Sequence, residues 1–557
     1  MKGLALKITS LLLTCVLLAV AACKSVEQSE ALSSYVGTER IKNYQNTNTC
    51  PASDVYAPRT AGEAAEVVAS AIASGKTIMT GTRGFKSQID AACASEGQIQ
   101  VTTENLKAVS IDVDSLTAKA GAGVTLADLN ESLTKVGLSI NMISEGGFFS
   151  VGGMLGSGTH GSTLRQGASL EEYVTAVTII DGKGEIKEID NAEDLKSLRV
   201  NLGVLGILVD ATFKVEPLKK VKATLVNGSD ANFAEDVLKL ARENYSVSAS
   251  WFPGISKYAA TVYNFVPNDT PGDALNAQAH ITEPLLNAYR VMLPIAYGDR
   301  TGGISCGLSN TRFGLRSNTF FTENGKKQDN PVGWSHKMQY FTCNKDGPCP
   351  WEIFPIYIGG ISIPSSELSN WIVEAKKIHQ AYHKFLGKVC FPLNGIYFRF
   401  AQASDAHIAL NEGKETVFID VEYSLNPWNL KTEDGVHQVN AVAQNYHVYQ
   451  ELVQMSLRKF NARPHWGKNT ETAFLNIGKD QFNKWDKFLA SKSKFDPDNI
   501  FTNDFWKRVE GTSKDKEILT DECGIKGTCF CENDSHCKNG LKCQDGLGFP
   551  EIKVCRL

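Results

Sequence analysis

Apolar positions along this chain switch repeatedly between helical and strand spacing from about residue 51 onward. Residues 61–74 repeat alanine and valine at helical intervals, whereas 76–81 form a short apolar run closed by glycine, and 109–113 and 118–120 alternate as half-buried strands do. Thr125 stands where an N-cap would satisfy the first free N–H groups of a helix opening at Leu126. Strand spacing returns at 174–181, turns at Gly182-Lys183-Gly184, resumes over 205–215, and stops at Pro217 and the basic residues Lys219, Lys220 and Lys222. Between 221 and 446 aromatic residues accumulate, including Trp251, Tyr263, Trp334 and Trp351, and loops rich in Gly and Asn interrupt them. Helical spacing takes over from 447 to 510, ending near Pro497 and Trp506. These shifts predict an α+β chain with units at 51–220, 221–446, 447–510 and a tail at 511–557.

The first residues carry different information. An apolar run from Ile8 to Ala22, entered past Lys2 and Lys7, is too short for a membrane span and reads as a signal peptide at 1–22, followed by a polar lead at 23–50. Two processing outcomes fit. Ala19 and Ala21 match an A-x-A cleavage site, while Val20-Ala21-Ala22-Cys23 resembles a lipoprotein box that would leave Cys23 acylated. The expected location is therefore exported: secreted, extracytoplasmic, or membrane-anchored through lipid.

Cysteine usage supports export. Of 14 cysteines, six crowd into the tail with spacing C-x5-C-x-C-x5-C-x5-C-x11-C, too densely for a core of their own, so three disulfides are expected there with the pairing open. Zinc is the competing reading, but the tail holds no CxxC pair and one histidine, His536, so no metal site is expected. Composition excludes other classes. With 42% hydrophobic and 21% charged residues the chain is neither disordered, collagenous nor coiled coil, and a net charge of −4 gives no footprint for nucleic acid. A small-molecule partner is expected.

The candidate chemistry lies in glycine turns. Val151-Gly152-Gly153-Met154-Leu155-Gly156-Ser157-Gly158-Thr159-His160-Gly161 places five glycines in eleven residues, which lets a backbone loop turn N–H groups toward a pyrophosphate or a flat heteroaromatic ring. A second turn, Thr80-Gly81-Thr82-Arg83-Gly84-Phe85-Lys86-Ser87, precedes it, and a third, Leu202-Gly203-Val204-Leu205-Gly206-Ile207, follows. None closes with Gly-Lys-Ser/Thr, and none matches GxGxxG at a strand–helix junction, so neither a P-loop nor a Rossmann fingerprint is present.

Together with Ala462-Arg463-Pro464-His465-Trp466-Gly467-Lys468, Phe495-Asp496-Pro497, Cys349-Pro350-Trp351, Asn394-Gly395-Ile396 with Arg399, and the cysteine tail, these turns resemble the aldonolactone oxidoreductases of the vanillyl-alcohol oxidase flavoprotein superfamily. Plant-type L-gulonolactone oxidases are the nearest in pattern. The resemblance implies a two-lobed FAD-binding (PCMH-type) domain, a substrate or cap domain built on an antiparallel sheet with flanking helices, and a disulfide-rich tail. It implies that Thr80 to Ser87 wrap the pyrophosphate, that Gly152, Gly153, Gly156, Gly158, Thr159 and His160 meet the flavin, and that Gly206 and Ile207 flank the adenine side. Many relatives bind the flavin covalently through a histidine where this chain has Lys86, so FAD is expected to be noncovalent, with Lys86 either near a phosphate or in solvent.

The implied reaction removes hydride from a carbon of a sugar lactone to flavin N5 while the hydroxyl loses a proton. L-Gulono-1,4-lactone, oxidised toward L-ascorbate, is the expected substrate, and O2 or another acceptor takes the electrons. An alditol or other carbohydrate oxidase, or a flavin-holding carbohydrate-binding protein without turnover, is the alternative. Arg399 and Lys468 are expected to be catalytic, the first orienting substrate oxygens and the second near the substrate hydroxyl, with His465 as a second-rank base. Tyr397 and Asp420 stand where several relatives carry glutamate and histidine, and are expected to touch substrate. Asp420 and Glu422 alternate, so they share one face of their strand.

Overall fold

The computed structural model describes residues 32–557 except 45–48, 83–85, 141–143, 277–282, 317–319, 322–325, 330, 342–355, 425–444, 476, 513–517 and 539. The signal segment, Cys23, Arg83, Gly84, Phe85, Cys343, Cys349 and Trp351 lie outside the described residues.

The helix Ala61–Ser74 forms where the spacing predicts it. Thr60 caps its start by accepting from the Glu63 N–H, Gly75 ends it at φ 64°, and Ala64, Val67, Val68 and Ala71 line the buried stripe. It leads into a four-stranded mixed sheet ordered Tyr35–Lys42, Thr49–Tyr56, Ile99–Thr102, Ile78–Gly81. The last two strands run parallel, with Thr80 opposite Val101, and the end of Ile78–Gly81 delivers Thr80 to Thr82 to the edge of a cavity. A five-stranded antiparallel sheet follows in the order Val109–Asp112, Thr117–Gly121, Ile207–Lys214, Val174–Ile180, Ile186–Ile189. Both lobes share one apolar core with Leu126, Leu129, Met154 and Ile207.

The glycine-rich stretch is not a loop throughout. Residues Val151–Ser157 form a short α-helix, with the Ser150 side chain accepting from the Gly153 N–H and Gly158 closing it at φ 62°. Glycine disfavours helix by about 1 kcal/mol per residue, but Val151, Met154 and Leu155 are fully buried and hold the turn in the core. The loop begins only at Gly158.

The second unit is built on an eight-stranded antiparallel sheet in the order Val332–Trp334, Lys220–Ser229, Lys257–Val266, Ser246–Phe252, Ile396–Ala401, Thr416–Ser424, Ile356–Pro364, Arg463–Pro464. Alternation splits its faces. Phe398, Phe400, Ile419 and Val421 pack with Phe233, Trp371 and Leu452 from the helices Phe233–Glu243, Leu368–Leu386 and Tyr446–Lys459. Arg399, Asp420 and Glu422 come out on the opposite face, toward the cavity. The segment read as purely helical contributes the two-residue strand Arg463–Pro464, whose pairing with Ile361 and Ser362 puts His465 to Lys468 beside that face.

The tail carries three disulfides, as expected, and their pairing is Cys523–Cys529, Cys531–Cys543 and Cys537–Cys555. Cys50–Cys93 and Cys306–Cys390 join the two body units internally. The tail docks onto the helix Tyr446–Lys459 through one buried carboxylate. Glu451 accepts from the N–H groups of Leu547, Gly548 and Phe549 at 3.0, 2.7 and 2.6 Å and from the Tyr382 hydroxyl at 2.6 Å. Phe549, Ile552 and Val554 extend the second core.

Candidate active site

A cavity of about 620 Å³ runs between the two units, within the range typical of small-molecule sites. Its chemistry concentrates where the segment after Gly158 meets the strand Ile396–Ala401. The Thr163 N–H donates to the Phe400 carbonyl at 2.8 Å, and the Phe400 N–H to the Ser162 hydroxyl at 3.0 Å. This backbone seam sets Arg399 beside His160, and Arg399 Nη1 donates to the His160 carbonyl at 3.2 Å.

Asp420, diagonal to Arg399 across the strand pair, binds two cations. It accepts from Arg399 Nη2 at 2.7 Å and from Lys468 Nζ at 2.8 Å on each oxygen. Burial alone would raise its carboxyl, but Lys468 and then Arg399 overcome that and hold it down to about 2. Burial lowers Lys468 from its ordinary value, with Asp420 acting against the shift. The three side chains carry one unit of positive charge in excess.

Two imidazoles flank this cluster, and both are neutral at pH 7. Burial, then the charges of Arg399 for His160 and of Lys468 for His465, push each well below the usual histidine range. His465 Nδ1 accepts the Gly467 N–H at 3.1 Å, so its proton sits on Nε2 and the ring acts as a donor. His160 stacks on Phe418 with centroids 3.4 Å apart and directs Nδ1 to the Gly161 carbonyl at 3.0 Å. Its buried Nε2 has no partner among the described residues.

The structure brings most of the sequence-predicted residues to this one cavity. Arg399, His465, Lys468 and Asp420 line its chemical end. Thr80, Gly81, Thr82, Lys86 and Ser87 line it from the first turn, Gly152, Gly153, Gly156, Thr159 and His160 from the second, and Gly206 from the third. Gly158 and Ile207 stand behind the wall, one as a helix C-cap and the other as the fully buried start of Ile207–Lys214. Tyr397 also lies behind it, donating its hydroxyl to Glu145 Oε1 at 2.5 Å. Asp420 sits mid-strand as the centre of an ion cluster. Lys86 faces the cavity, and burial lowers its ammonium to about 8.

The profile of an FAD binding domain matches residues 52–190, that of D-arabinono-1,4-lactone oxidase matches residues 211–509, and that of an L-gulonolactone oxidase 2-like C-terminal domain matches residues 520–557. The second match alone spans more than half of the chain. The chain belongs to the D-arabinono-1,4-lactone oxidase family.

This lactone oxidase family member is 26% identical to L-gulonolactone oxidase 5 of Arabidopsis thaliana, over 93% of its own length and 91% of the relative's. It is 23% identical to the L-gulonolactone oxidase of Mus musculus, over 85% and 99%. A solvent-stable cholesterol oxidase superposes with a TM-score of 0.63 at 17% identity, covering 86% of this chain and 99% of that one. The cholesterol oxidase of B. sterolicum gives 0.64 at 17% identity, covering 86% and 98%. At such identity the likeness is one of fold. The family member is an FAD-dependent oxidoreductase acting on aldonolactones.

Its residues fit FAD. A Cβ built at Gly156 meets no atom within 4 Å, so any side chain there would enter the cavity. Gly206, at φ 142°, could not carry one either, because its Cβ would lie 2.5 Å from the Ile180 carbonyl oxygen. The hydroxyls of Thr80, Thr82, Ser87, Ser150, Ser157 and Thr159 line the glycine end as small uncharged polar groups; Thr80 and Ser157 donate to the Gly203 and Gly153 carbonyls, so they present acceptor lone pairs to a cofactor's hydroxyl or N–H groups.

Residues that sequence reasoning did not single out complete the far wall. Glu145 precedes the glycine helix, and Arg312 and Arg316 sit one turn apart on the helix Gly303–Arg316. The i, i+4 spacing of the two arginines was the available signal.

Proposed function

We propose that this enzyme oxidises L-gulono-1,4-lactone toward L-ascorbate, with FAD held noncovalently and O2 or another acceptor closing the cycle. The observation that carries the reading is the buried Arg399–Asp420–Lys468 cluster on the wall of a glycine-lined cavity. The likeness to the L-gulonolactone oxidases of Arabidopsis thaliana and Mus musculus supports the lactone.

Bound FAD supplies a two-electron acceptor for the carbon that bears the substrate hydroxyl. The chain's own residues do the rest. Arg399, fixed by Asp420 and by the His160 carbonyl, orients substrate oxygens and cannot lose its charge. Lys468 Nζ, fixed on both Asp420 oxygens, stands beside it and stabilises negative charge that develops as the hydroxyl loses its proton. Asp420, held down to about 2, is a spacer between cations and a poor base. His465 Nε2–H adds a neutral donor. Lys86, a side chain with no ring nitrogen at the position relatives use for a covalent bond, supports a noncovalent cofactor.

Export belongs to the same proposal. The apolar run from Ile8 to Ala22 supports it, as do five disulfides among the described residues, with lipid on Cys23 as one form. No described helix is long and apolar enough to cross a membrane.

One experiment tests the core. The purified mature protein is precipitated with acid, and a second sample is mixed anaerobically with L-gulono-1,4-lactone while the visible spectrum is recorded. Flavin in the supernatant and bleaching by the lactone are expected. Flavin that stays with the pellet refutes noncovalent binding, and flavin that never bleaches refutes the lactone.

A further inference from the structure

We infer that Glu145 reads the hydroxyls of the substrate's exocyclic side chain, with Tyr397 as its positioning residue, so that the enzyme selects lactones bearing a free side-chain diol. The inference rests on the lactone reading above and deepens it.

Glu145 is held at both levels. Its backbone is pinned to Phe341, whose N–H donates to the Glu145 carbonyl at 2.9 Å, while the Gly147 N–H donates to the Phe341 carbonyl at 2.9 Å. Its side chain is pinned by Tyr397, whose hydroxyl donates to Oε1 at 2.5 Å. Oε2 has no protein partner among the described residues, and Glu145 lines the cavity. Tyr397 lies one layer deeper, with its ring centroid 5.0 Å from the Arg316 guanidinium and 5.5 Å from that of Arg399. One aromatic ring therefore sets three charged groups relative to one another: Arg399 at the chemical end, and Glu145 and Arg316 beyond it.

Chemistry then selects the ligand. A carboxylate only accepts hydrogen bonds and a guanidinium only donates them, so the two side by side match groups that do both. Vicinal hydroxyls do both. In an aldono-1,4-lactone the ring holds the reacting carbon and the side-chain hydroxyls project from it, and the Tyr397 ring that adjoins Arg399 also adjoins Arg316 and holds Glu145. A deoxy analogue leaves Glu145 Oε2 without the hydroxyl it would accept from, and sites built on such contacts reject the truncated ligand strongly.

The test compares L-gulono-1,4-lactone with its 5-deoxy analogue in anaerobic reduction of the holoenzyme, using wild type, Glu145→Gln and Tyr397→Phe. Wild type should prefer the parent by at least about a hundredfold in kcat/KM, and Glu145→Gln should cut that preference to about tenfold or less, with KM rising and kcat nearly unchanged. Tyr397→Phe should move both quantities the same way by a smaller factor, since the carboxylate stays but loses its anchor. Lactone protection in thermal unfolding should shrink in parallel. Flavin content and the unliganded melting temperature report folding, and Tyr397→Phe carries the test alone if Glu145→Gln fails to fold. A preference unchanged within twofold in a variant that folds, or a loss confined to kcat, overturns the inference while wild-type bleaching keeps the lactone reading intact. Wild type that is never reduced by the lactone overturns both.

Discussion

Replacing Asp420 with asparagine removes one charge and little volume, and its cost follows from the contacts. The carboxylate holds three short bonds, 2.7 Å from Arg399 and 2.8 Å twice from Lys468. Its fall from 3.8 to about 2 in the folded state corresponds to about 2–3 kcal/mol at roughly 1.4 kcal/mol per unit. Because the folded value is the lower, this stabilisation is complete above the unfolded value and disappears as pH falls through about 2. Asparagine forfeits it and also leaves two buried cations facing each other, which places the total for Asp420→Asn at about 3–5 kcal/mol at pH 7. Lys468→Met alone keeps the Arg399–Asp420 bond and should cost about 1.5–3 kcal/mol. The double variant removes the orphaned ammonium along with its former partner, so it should be no less stable than Asp420→Asn. Urea unfolding of the holoprotein at pH 7, followed by tryptophan fluorescence, gives the coupling energy, expected near 2 kcal/mol. Costs that simply add within about 0.5 kcal/mol would mean that the three groups do not act as one cluster.

Gly156→Leu should leave the melting temperature of the apoprotein nearly unchanged and weaken FAD at least about tenfold in a fluorescence titration, because the side chain enters open space in the cavity. Glu451→Ala strips four donors of their acceptor and should cost about 3 kcal/mol, seen as faster amide exchange at 547–549. Replacing Cys306 and Cys390 together by alanine opens a loop of 84 residues and should lower stability by about 4 kcal/mol on the chain-entropy account. His336 and His379 are each lowered to about 4 by burial, and burial also pushes His160 and His465 well below the usual histidine range. The unfolded chain therefore takes up protons first, and stability should decline as pH drops from 6.5 toward 4, measurable as a falling urea midpoint.

What the sequence disclosed depended on how local the signal was. Arg399 and Asp420 were readable because two-residue alternation fixes a strand's faces, and Lys468 because a compact motif marks it. Glu145, Arg312 and Arg316 were not. They come from a loop before the glycine helix and from a helix more than 150 residues further along, and only the closing of the eight-stranded sheet brings them to one wall. The glycine run misled in a similar way, since its composition says turn whereas the burial of Val151, Met154 and Leu155, a tertiary fact, says helix. Tail spacing announced disulfides but not partners, because several pairings close loops of comparable length and the choice is made by packing against Glu451 and Tyr357.

The site's charge is arranged by register more than by loops, and this bears on how it can work. Arg399 and Asp420 stand on paired strands whose alignment is set along six residue pairs, and Lys468 follows a strand hydrogen-bonded to the same sheet. Arg399 and Lys468 share a single carboxylate, and the neutral rings of His160 and His465 add nothing to the count, so this three-residue cluster carries one positive charge, with Glu145 and Glu422 the further acids on the cavity wall. A charge fixed before the substrate arrives needs no reorganisation when negative charge develops, and it acts more strongly there than in water. Asp420 is held far below neutrality and His465 is turned to donate, so neither group beside the two cations is a strong base. The arrangement favours catalysis by standing electrostatic support, with the sheet's register as the source of its precision.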